Sequence, residues 1–351
     1  MPKGPGKYRH LLPRLGSSRV EVGPDITLVT PPGSSTQVDQ ISEDAWLVQR
    51  APLNKSVDVQ QVDPRTWVLQ RSGRRRRSVK KLGPRSLHTH LLVDRRAARA
   101  NMRDHQMSVG KYLAAEHIAW ILRELDINCV LDIGGNVGEY GRLLRSGGFT
   151  GRIVSFEPVS RTADRLRDAA KDDSDWHIIE CALGETEEKA EMTVVGGRGA
   201  TSSLLDVSDF GKAWSPRLQG VAKQMVDVRR LDSVFDSAVS GIDAPRVFMK
   251  MDTQGYDLPV FRGAGERLDD VLGLQSEVAS VPLYEGMARL PEQIAAYEKA
   301  GFETTGIFPV TRDRKTLRVI EFDVVMIRVR GLGQPEPGAP PLACTAQPGD
   351  N

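Results

Sequence analysis

Apolar and polar residues alternate in two different ways along this chain. In the first ~90 residues, short strand-like runs such as SRVEVG, DITLVT, AWLVQR and TWVLQR are separated by Pro, Gly, Asn and Asp, which favour turns. From about Ser108 onward, segments with helical spacing alternate with short continuous apolar runs. The first pattern predicts a small β-rich or partly disordered appendage over 1–90, and the second predicts an α/β domain over 105–330.

The first long helix of this α/β domain is predicted from SVGKYLAAEHIAWILRELDI. Its apolar residues recur every three or four positions and therefore share one helical face, with charged residues on the other. The apolar face consists of Ala114, Ile118, Ile121, Leu122 and Leu125, and the charged face of Glu116, Arg123 and Glu124.

The apolar runs that follow predict buried strands. They are CVLDI, RIVSFEP, WHIIECAL, RVFMKMD and VLGLQSE. One predicted helix begins at about Glu139 and ends at the glycines after Ser146, and SRTADRLRDAAKD predicts another. Continuous apolar strands that alternate with helices are typical of a mostly parallel sheet with helices on both faces.

Composition and charge narrow the class of protein. The 351 residues are 40% hydrophobic and 27% charged, with a formal net charge of +2, so no overall field demands nucleic acid or an anionic membrane. No apolar run approaches the roughly 20 residues of a membrane helix, and the N-terminus lacks the apolar core of a signal peptide. Cys129, Cys181 and Cys344 lie far apart, without the spacing of a zinc site or a disulfide framework. We therefore expect a cytoplasmic protein with no membrane partner.

Two segments read as connections rather than as folded elements. Residues 72–86, SGRRRRSVKKLGPRS, form a basic linker, which is either a solvated hinge or a contact for nucleic acid. No aromatic residue lies between those arginines, which argues against binding of single strands. The Pro- and Gly-rich residues 331–351 predict a disordered tail.

The stretch VLDIGGNVGEY, 130–140, predicts a strand, a glycine loop and a helix that hold a nucleotide-like cofactor. A dinucleotide fingerprint beginning at Gly134 needs glycines at positions 136 and 139, where the chain has Asn136 and Glu139. A diphosphate is bound by backbone amides without a nearby carboxylate. An acidic loop instead suits a cationic ligand such as S-adenosylmethionine. The predicted contacts in this loop are Asp132, Gly134, Gly135, Asn136 and Gly138.

Two further segments predict the rest of the cofactor site. Glu157 and Pro158 follow the second strand, about 20 residues beyond the loop, where a carboxylate accepts the hydroxyls of an adenosine ribose. Cys181, Ala182 and Leu183 end the third predicted strand and offer an apolar wall for adenine. NAD enzymes use the same acidic position, so Glu157 does not distinguish NAD from S-adenosylmethionine. The glycine loop makes that distinction.

The second half of the chain carries a signature of its own. It comprises VDVRRLDSVF, VFMKMDTQGYDLPVFRGA, LQSEVASVPLYEG and GFETTGIFPV, downstream of VLDIGGNVGEY and SFEP. Residues 130–329 thereby resemble the FkbM-type family of S-adenosylmethionine-dependent methyltransferases. The resemblance implies a class I methyltransferase (Rossmann-like) sheet of seven strands with the last antiparallel, and methyl transfer to a hydroxyl of a sugar or polyketide-like small molecule. Gln254 and Asp257 stand where the family often has glutamates, which puts in doubt any role that needs a charge at position 254.

Candidate catalytic residues lie at the carboxyl ends of the fourth and fifth strands, where ligands of parallel sheets bind. A hydroxyl nucleophile benefits from a base. All six histidines lie at or before the third strand, so Asp252 is the preferred base, with Lys250 orienting it or merely pairing with it. Glu277 lies at the next strand end, and with Asp252 it offers two hard oxygen ligands, a weak indication of a divalent metal.

Substrate contacts are expected from TSSLL and LYEG, through Ser202, Ser203, Tyr284 and Glu285, although Tyr284 equally suits core packing. Three other functions remain open: an NAD-dependent oxidoreductase, a nucleic-acid-binding or nucleic-acid-modifying protein anchored by Arg74–Arg77, and a protein that binds the cofactor without catalysis.

Overall fold

A computed structural model describes residues 95–195, 202–215, 218 and 221–329, together with the backbone of nine strands before residue 94. The chain divides into two compact units, Met1–Met102 and Arg103–Asn351. The arginines of the predicted basic linker and the predicted tail lie outside the described residues.

The described elements of the first unit are antiparallel strands and one short helix. Its elements are β1 His10–Leu11, β2 Ser18–Gly23, β3 Ile26–Thr30, β4 Ser35–Ser42, β5 Ala45–Ala51, β6 Val57–Asp63, β7 Thr66–Arg71, β8 Ser78–Leu82, β9 Thr89–Val93 and α1 Arg95–Ala100. Strands β1, β4 and β5 form one sheet, and β2–β3, β6–β7 and β8–β9 form hairpin pairs. Strand β8 lies within the segment that the sequence predicts as a linker.

The second unit alternates helices and strands. Its helices are α2 Met102–Glu124, α3 Glu139–Ser146, α4 Ser160–Ala170, α5 Asp209–Trp214, α6 Leu231–Ala238, α7 Asp257–Gly263 and α8 Leu290–Lys299, with a 3₁₀ helix at Gly265–Asp270. Its strands are β10 Cys129–Ile133, β11 Arg152–Phe156, β12 Trp176–Ile179, β13 Ala182–Leu183, β14 Glu188–Val195, β15 Val221–Arg229, β16 Val247–Met251, β17 Val271–Ala279, β18 Phe302–Arg312 and β19 Val319–Arg328.

Seven of these strands form the central sheet, in the order β12, β11, β10, β16, β17, β19, β18. The first five are parallel, and β19 runs antiparallel to both of its neighbours, β17 and β18. The order reverses at β10 and β16, so the carboxyl ends of these two strands open a crevice for ligands. This arrangement confirms the predicted class I methyltransferase sheet.

Continuous apolar runs produce the buried strands, because each residue of a doubly covered sheet meets a layer of helices. All five residues of β10 and all five of β16 are buried. The predicted apolar face of α2 is buried as well, while Glu116, Arg123 and Glu124 are exposed. No helix among the described residues is long and apolar enough to cross a membrane.

One strand prediction is wrong in its extent. The run WHIIECAL predicts a single strand, but β12 ends at Ile179 and the chain bends before Ala182. Ala182 and Leu183 then pair with Val228 and Arg229 of β15, in a separate sheet of β13, β15 and β14. An apolar run does not distinguish one strand from two short strands that enter different sheets.

Candidate active site

The loop after β10 is shaped by its contacts with the ends of β11 and β16. The amides of Gly134 and Gly135 both donate to the Phe156 carbonyl at 3.0 Å. Gly134 has a φ of +81°, and a Cβ at this position would lie 2.1 Å from the carbonyl oxygen of Asp252. Glycine is therefore required because two backbones approach each other closely here, a requirement that is independent of any phosphate.

A row of polar side chains crosses the sheet beneath this loop. Ser155, Asp132, Lys250 and Gln275 occupy paired positions on four neighbouring strands. The Lys250 Nζ lies 3.0 Å from Asp132 Oδ1, and the Ser155 hydroxyl donates to Asp132 Oδ2 at 2.8 Å. Lys250 Nζ also donates to the Gly134 carbonyl at 3.0 Å, so this ion pair supports the loop from below.

Two residues of this row, Asp132 and Lys250, are predicted from the sequence to act at the site. Asp132 is 0% exposed, and the described lining of the cavity above the row does not include it. Lys250 lies 3.7 Å from Asp252 Oδ2, farther than from Asp132. Burial alone would lower the pKa of Lys250, but the charges of Asp132 and Asp252 outweigh it and hold that pKa above its ordinary value. Lys250 is thus a permanent cation that is held mainly by Asp132.

A cavity opens at the carboxyl ends of β10, β11 and β16. Nine predicted site residues line it: Gly134, Asn136, Glu157, Pro158, Cys181, Ala182, Leu183, Ser202 and Asp252. The other lining residues, which were not among the predicted contacts, are Ile133, Phe156, Met192, Leu204, Thr253, Gln254 and Tyr256. Thr253, Gln254 and Tyr256 belong to the K-x-D-x-Q-G-x-D motif, so this motif could have indicated from the sequence that they line the cavity.

Glu157 occupies one side of this cavity. Its carboxylate accepts the backbone amides of Asn136 and Val159, each at 3.0 Å. Burial raises the pKa of Glu157 to about 7, although both amide hydrogen bonds lower it. The neighbouring Asn136 has a φ of +46°, and within the described structure its buried Oδ1 accepts no hydrogen bond. This side of the cavity therefore offers acceptors to a ligand that donates hydrogen bonds.

Another part of the cavity wall is apolar. Cys181 is buried in the bend after β12, Ala182 and Leu183 are buried in β13, and Met192 of β14 is also part of the lining. Burial raises the pKa of the Cys181 thiol to about 11, which keeps it neutral and unreactive near pH 7. These residues present a hydrophobic surface of the kind that binds a flat ring.

Gln254 connects the cavity to the next strand. Its Nε2 donates to Asp252 Oδ1 at 3.0 Å and to Glu277 Oε2 at 2.8 Å. The Tyr284 hydroxyl donates to Gln254 Oε1 at 3.2 Å, and the Ser203 hydroxyl donates to the Gln254 carbonyl at 2.7 Å. The predicted residues Asp252, Glu277, Tyr284 and Ser203 thus meet around a glutamine that was not predicted to contact a ligand.

The carboxylates beyond Gln254 have raised pKa values. Glu277 lies directly opposite Asp323 across β17 and β19. Burial raises the pKa of Glu321 and of Asp323 to about 7, and burial together with Glu321 raises that of Glu277 well above its usual range. Among the described residues, no group of three His, Cys, Asp or Glu is arranged to hold a metal ion.

The remaining predicted residues lie outside the cavity. Added Cβ atoms at Gly135 and Gly138 would meet Leu166 at 3.0 Å, so both glycines permit packing of the loop against α4. Tyr284 is buried in a hydrophobic cluster with Leu283 and Met287, whereas Glu285 and Glu139 are exposed.

The strand order and the cavity at its reversal point define the class: a class I methyltransferase fold with a crevice where the strand order reverses. Residues 132–303 match the model of the methyltransferase FkbM domain. This match confirms the resemblance seen in the sequence motifs: residues 132–303 form a methyltransferase FkbM domain.

Other comparisons give only remote similarity. No curated protein matches the chain. Fibrillarin from Aeropyrum pernix, solved with natively bound S-adenosyl-L-methionine, is 9% identical over 83% of this chain and 94% of its own, with a TM-score of 0.33. An rRNA methylase from Streptococcus thermophilus is 11% identical over 60% of this chain and 94% of its own, with a TM-score of 0.32. Similarity at this level identifies no substrate.

Proposed function

We propose that the cavity binds S-adenosylmethionine and that the domain transfers its methyl group to a hydroxyl of a small molecule. The observation that carries this proposal is the charge of the lining. Among the described residues of the cavity wall there is no Lys, Arg or His, while two carboxylates, Glu157 and Asp252, face it. A dinucleotide with its diphosphate would find no cationic partner there, whereas a sulfonium ligand finds negative charge.

Individual residues fit parts of this ligand. The Glu157 carboxylate can accept the ribose hydroxyls, in the position where dinucleotide enzymes also place an acid. Cys181, Ala182 and Leu183 supply the apolar surface for adenine. The unsatisfied Oδ1 of Asn136 is an acceptor for the donor groups of the ligand, because a buried acceptor without a partner costs about 1–3 kcal/mol.

Bound S-adenosylmethionine supplies an already activated methyl group, so the protein has to orient the acceptor behind that methyl and exclude water. We assign Asp252 as the base that accepts the proton of the acceptor hydroxyl, because its carboxylate lines the cavity and is partly exposed. Glu277 is buried and separated from the cavity by Gln254, so its contribution is indirect.

For the acceptor we propose a hydroxyl of a sugar or a polyketide-like natural product, and for the compartment the cytoplasm. The acceptor class rests on the family resemblance. The compartment is supported by Cys129 and Cys181, which are free, buried thiols. We propose no metal requirement, since the described carboxylates do not converge as a ligand set.

The test is incubation of the purified chain with methyl-labelled S-adenosylmethionine and extracts fractionated into sugars, lipids and secondary metabolites. Mass spectrometry should find a labelled product heavier by one CH₂ group in a fraction of hydroxylated small molecules. Asp252→Asn should lower turnover by roughly 10²- to 10⁴-fold if Asp252 is the base. Unchanged turnover would remove the base assignment, and a labelled amine product would replace O-methylation with N-methylation.

A further inference from the structure

Both the nitrogen and the oxygen of the Gln254 side-chain amide form hydrogen bonds with neighbouring side chains. Both carboxylate contacts come from Nε2, which has two hydrogens, one for Asp252 and one for Glu277. The carbonyl oxygen Oε1 accepts from the Tyr284 hydroxyl. Rotation of the amide by half a turn would place its carbonyl against two carboxylates, so a single orientation is favoured.

The backbone at this position is also fixed. Gln254 has a φ of +52°, a left-handed conformation that is costly for a residue with a side chain. Its carbonyl accepts a hydrogen bond from the Ser203 hydroxyl at 2.7 Å, and the adjacent Gly255 has a φ of +92°. Surrounding contacts that hold a strained residue in this way are typical of functional sites.

The fixed amide of Gln254 restricts the orientation of the Asp252 side chain. Its side chain is 42% exposed and would otherwise be free to change rotamer. The Gln254 amide holds Oδ1, and the Lys250 ammonium lies on the side of Oδ2. A hydrogen bond to Oδ1 from Gln254 and an ion pair at 3.7 Å between Lys250 and Oδ2 together determine the direction of the carboxylate. Of these two partners, only Gln254 lines the cavity.

Given the proposed function, we infer that Gln254 is a positioning residue: it holds the Asp252 carboxylate at the cavity and thereby sets the preference for the cationic methyl donor over its neutral demethylated product. A glutamate here would place a third carboxylate between Asp252 and Glu277. An amide holds both carboxylates without adding charge.

The test is calorimetric titration of the full chain with S-adenosylmethionine and, separately, with S-adenosylhomocysteine, which lacks the positive charge. The ratio of the two Kd values reports how strongly the site senses that charge. Asp252→Asn should reduce the preference for S-adenosylmethionine by about three- to tenfold, the range expected for a partly exposed charge. Gln254→Met keeps the length of the side chain but loses the amide, and it should reduce the preference by about threefold.

The double variant Asp252→Asn with Gln254→Met should show no further loss beyond Asp252→Asn, because Gln254 acts through Asp252. Gln293→Met is the control: Gln293 is another buried glutamine, its amide donates to the Tyr297 hydroxyl at 3.3 Å, and it does not line the cavity. This control should leave the ratio unchanged. Should Gln254→Met fail to fold, Gln254→Asn gives the same readout, because asparagine tolerates the left-handed backbone and its shorter side chain cannot bridge both carboxylates.

An unchanged ratio in Gln254→Met would overturn the inference, even if both ligands bind more weakly, since equal weakening indicates a merely structural role. Additive losses in the double variant would overturn it as well. Wild-type protein that binds neither ligand would instead contradict the proposed function, and the inference would fall with it.

Discussion

The ammonium of Lys250 lies 3.0 Å from the carboxylate of Asp132, and both side chains are almost completely buried beneath the glycine loop. The two residues occupy directly paired positions on β10 and β16. Their contact joins two of the strands whose ends form the cavity. The acid of the glycine-loop motif therefore stabilises the floor of the site, and the carboxylates that line the cavity are Glu157 and Asp252.

Removing one partner of this ion pair should destabilise the fold. We expect Lys250→Met to lower the free energy of unfolding by about 3–5 kcal/mol, because it leaves the Asp132 charge buried without its cation. The double variant with Asp132→Asn should recover much of this loss. Urea denaturation followed by circular dichroism measures both, and Lys189→Met, which breaks the exposed pair with Asp227, serves as the control with an expected change within about 0.5 kcal/mol. A Lys250→Met variant as stable as the wild type would contradict the structural role.

A methyl group at Gly134 should disrupt the loop. Gly134→Ala would place a Cβ 2.1 Å from the Asp252 carbonyl at a φ of +81°, so backbone must move, and we expect a loss of more than about 2 kcal/mol in unfolding free energy. Gly148 has a φ of +88° with nothing within 4 Å of an added Cβ. Gly148→Ala should therefore lose about 1 kcal/mol from the backbone alone. Equal losses in the two variants would show that the close approach at Asp252 is not decisive.

Binding of the adenosine ligand should depend on pH through Glu157. The ribose hydroxyls need acceptors, and protonation turns one carboxylate oxygen of Glu157 into a donor and removes the charge that strengthens these hydrogen bonds. Because the pKa of Glu157 is raised to about 7, affinity for S-adenosylhomocysteine should fall as pH decreases below 7, by up to about tenfold per pH unit. Titrations at several pH values measure this slope. Glu157→Gln should bind weakly at every pH, and a wild-type affinity that stays constant between about pH 6 and 8 would contradict the ribose assignment.

The buried acids near Gln254 should make the protein more stable as the solution becomes mildly acidic. Glu321 and Asp323 have pKa values of about 7 in the fold, above their ordinary 4.5 and 3.8, so the folded state binds more protons than the unfolded state between these values. Each group contributes its full stabilisation at pH values below its unfolded-state pKa. This contribution falls by up to about 1.4 kcal/mol per pH unit as pH rises, and it is lost once pH passes through about 7. Glu321→Gln should therefore raise stability at about pH 8 relative to the wild type and have little effect at about pH 5. An equal effect at both pH values would contradict the raised pKa.

Apolar periodicity was sufficient to predict most of the central sheet, because buried strands and amphipathic helices are local patterns. It did not distinguish the roles of Asp132 and Glu157, two acids at the ends of successive strands. Asp132 lies within β10 and points into the layer that holds Lys250, whereas Glu157 follows the last residue of β11 and reaches the cavity. Which of the two faces the ligand depends on where each strand ends and on contacts from distant segments.

The role of Gln254 could not be predicted from the sequence for a similar reason. In the sequence it appears as an exchange of a family glutamate for a neutral residue, and only the fold brings Glu277 and Tyr284 to its side chain. The turn that sends Cys181–Leu183 from the central sheet to the second sheet is likewise absent from the apolar pattern, although the predicted wall lines the cavity.

Calorimetric titration of the wild-type chain with S-adenosylmethionine and with NAD is the most direct test of the central claim. It asks whether a cavity lined by carboxylates, without a cationic side chain for a diphosphate, selects the methyl donor. We expect one S-adenosylmethionine per chain at micromolar Kd, no heat from NAD, and loss of donor binding in Glu157→Gln. Binding of NAD without binding of S-adenosylmethionine would contradict the account.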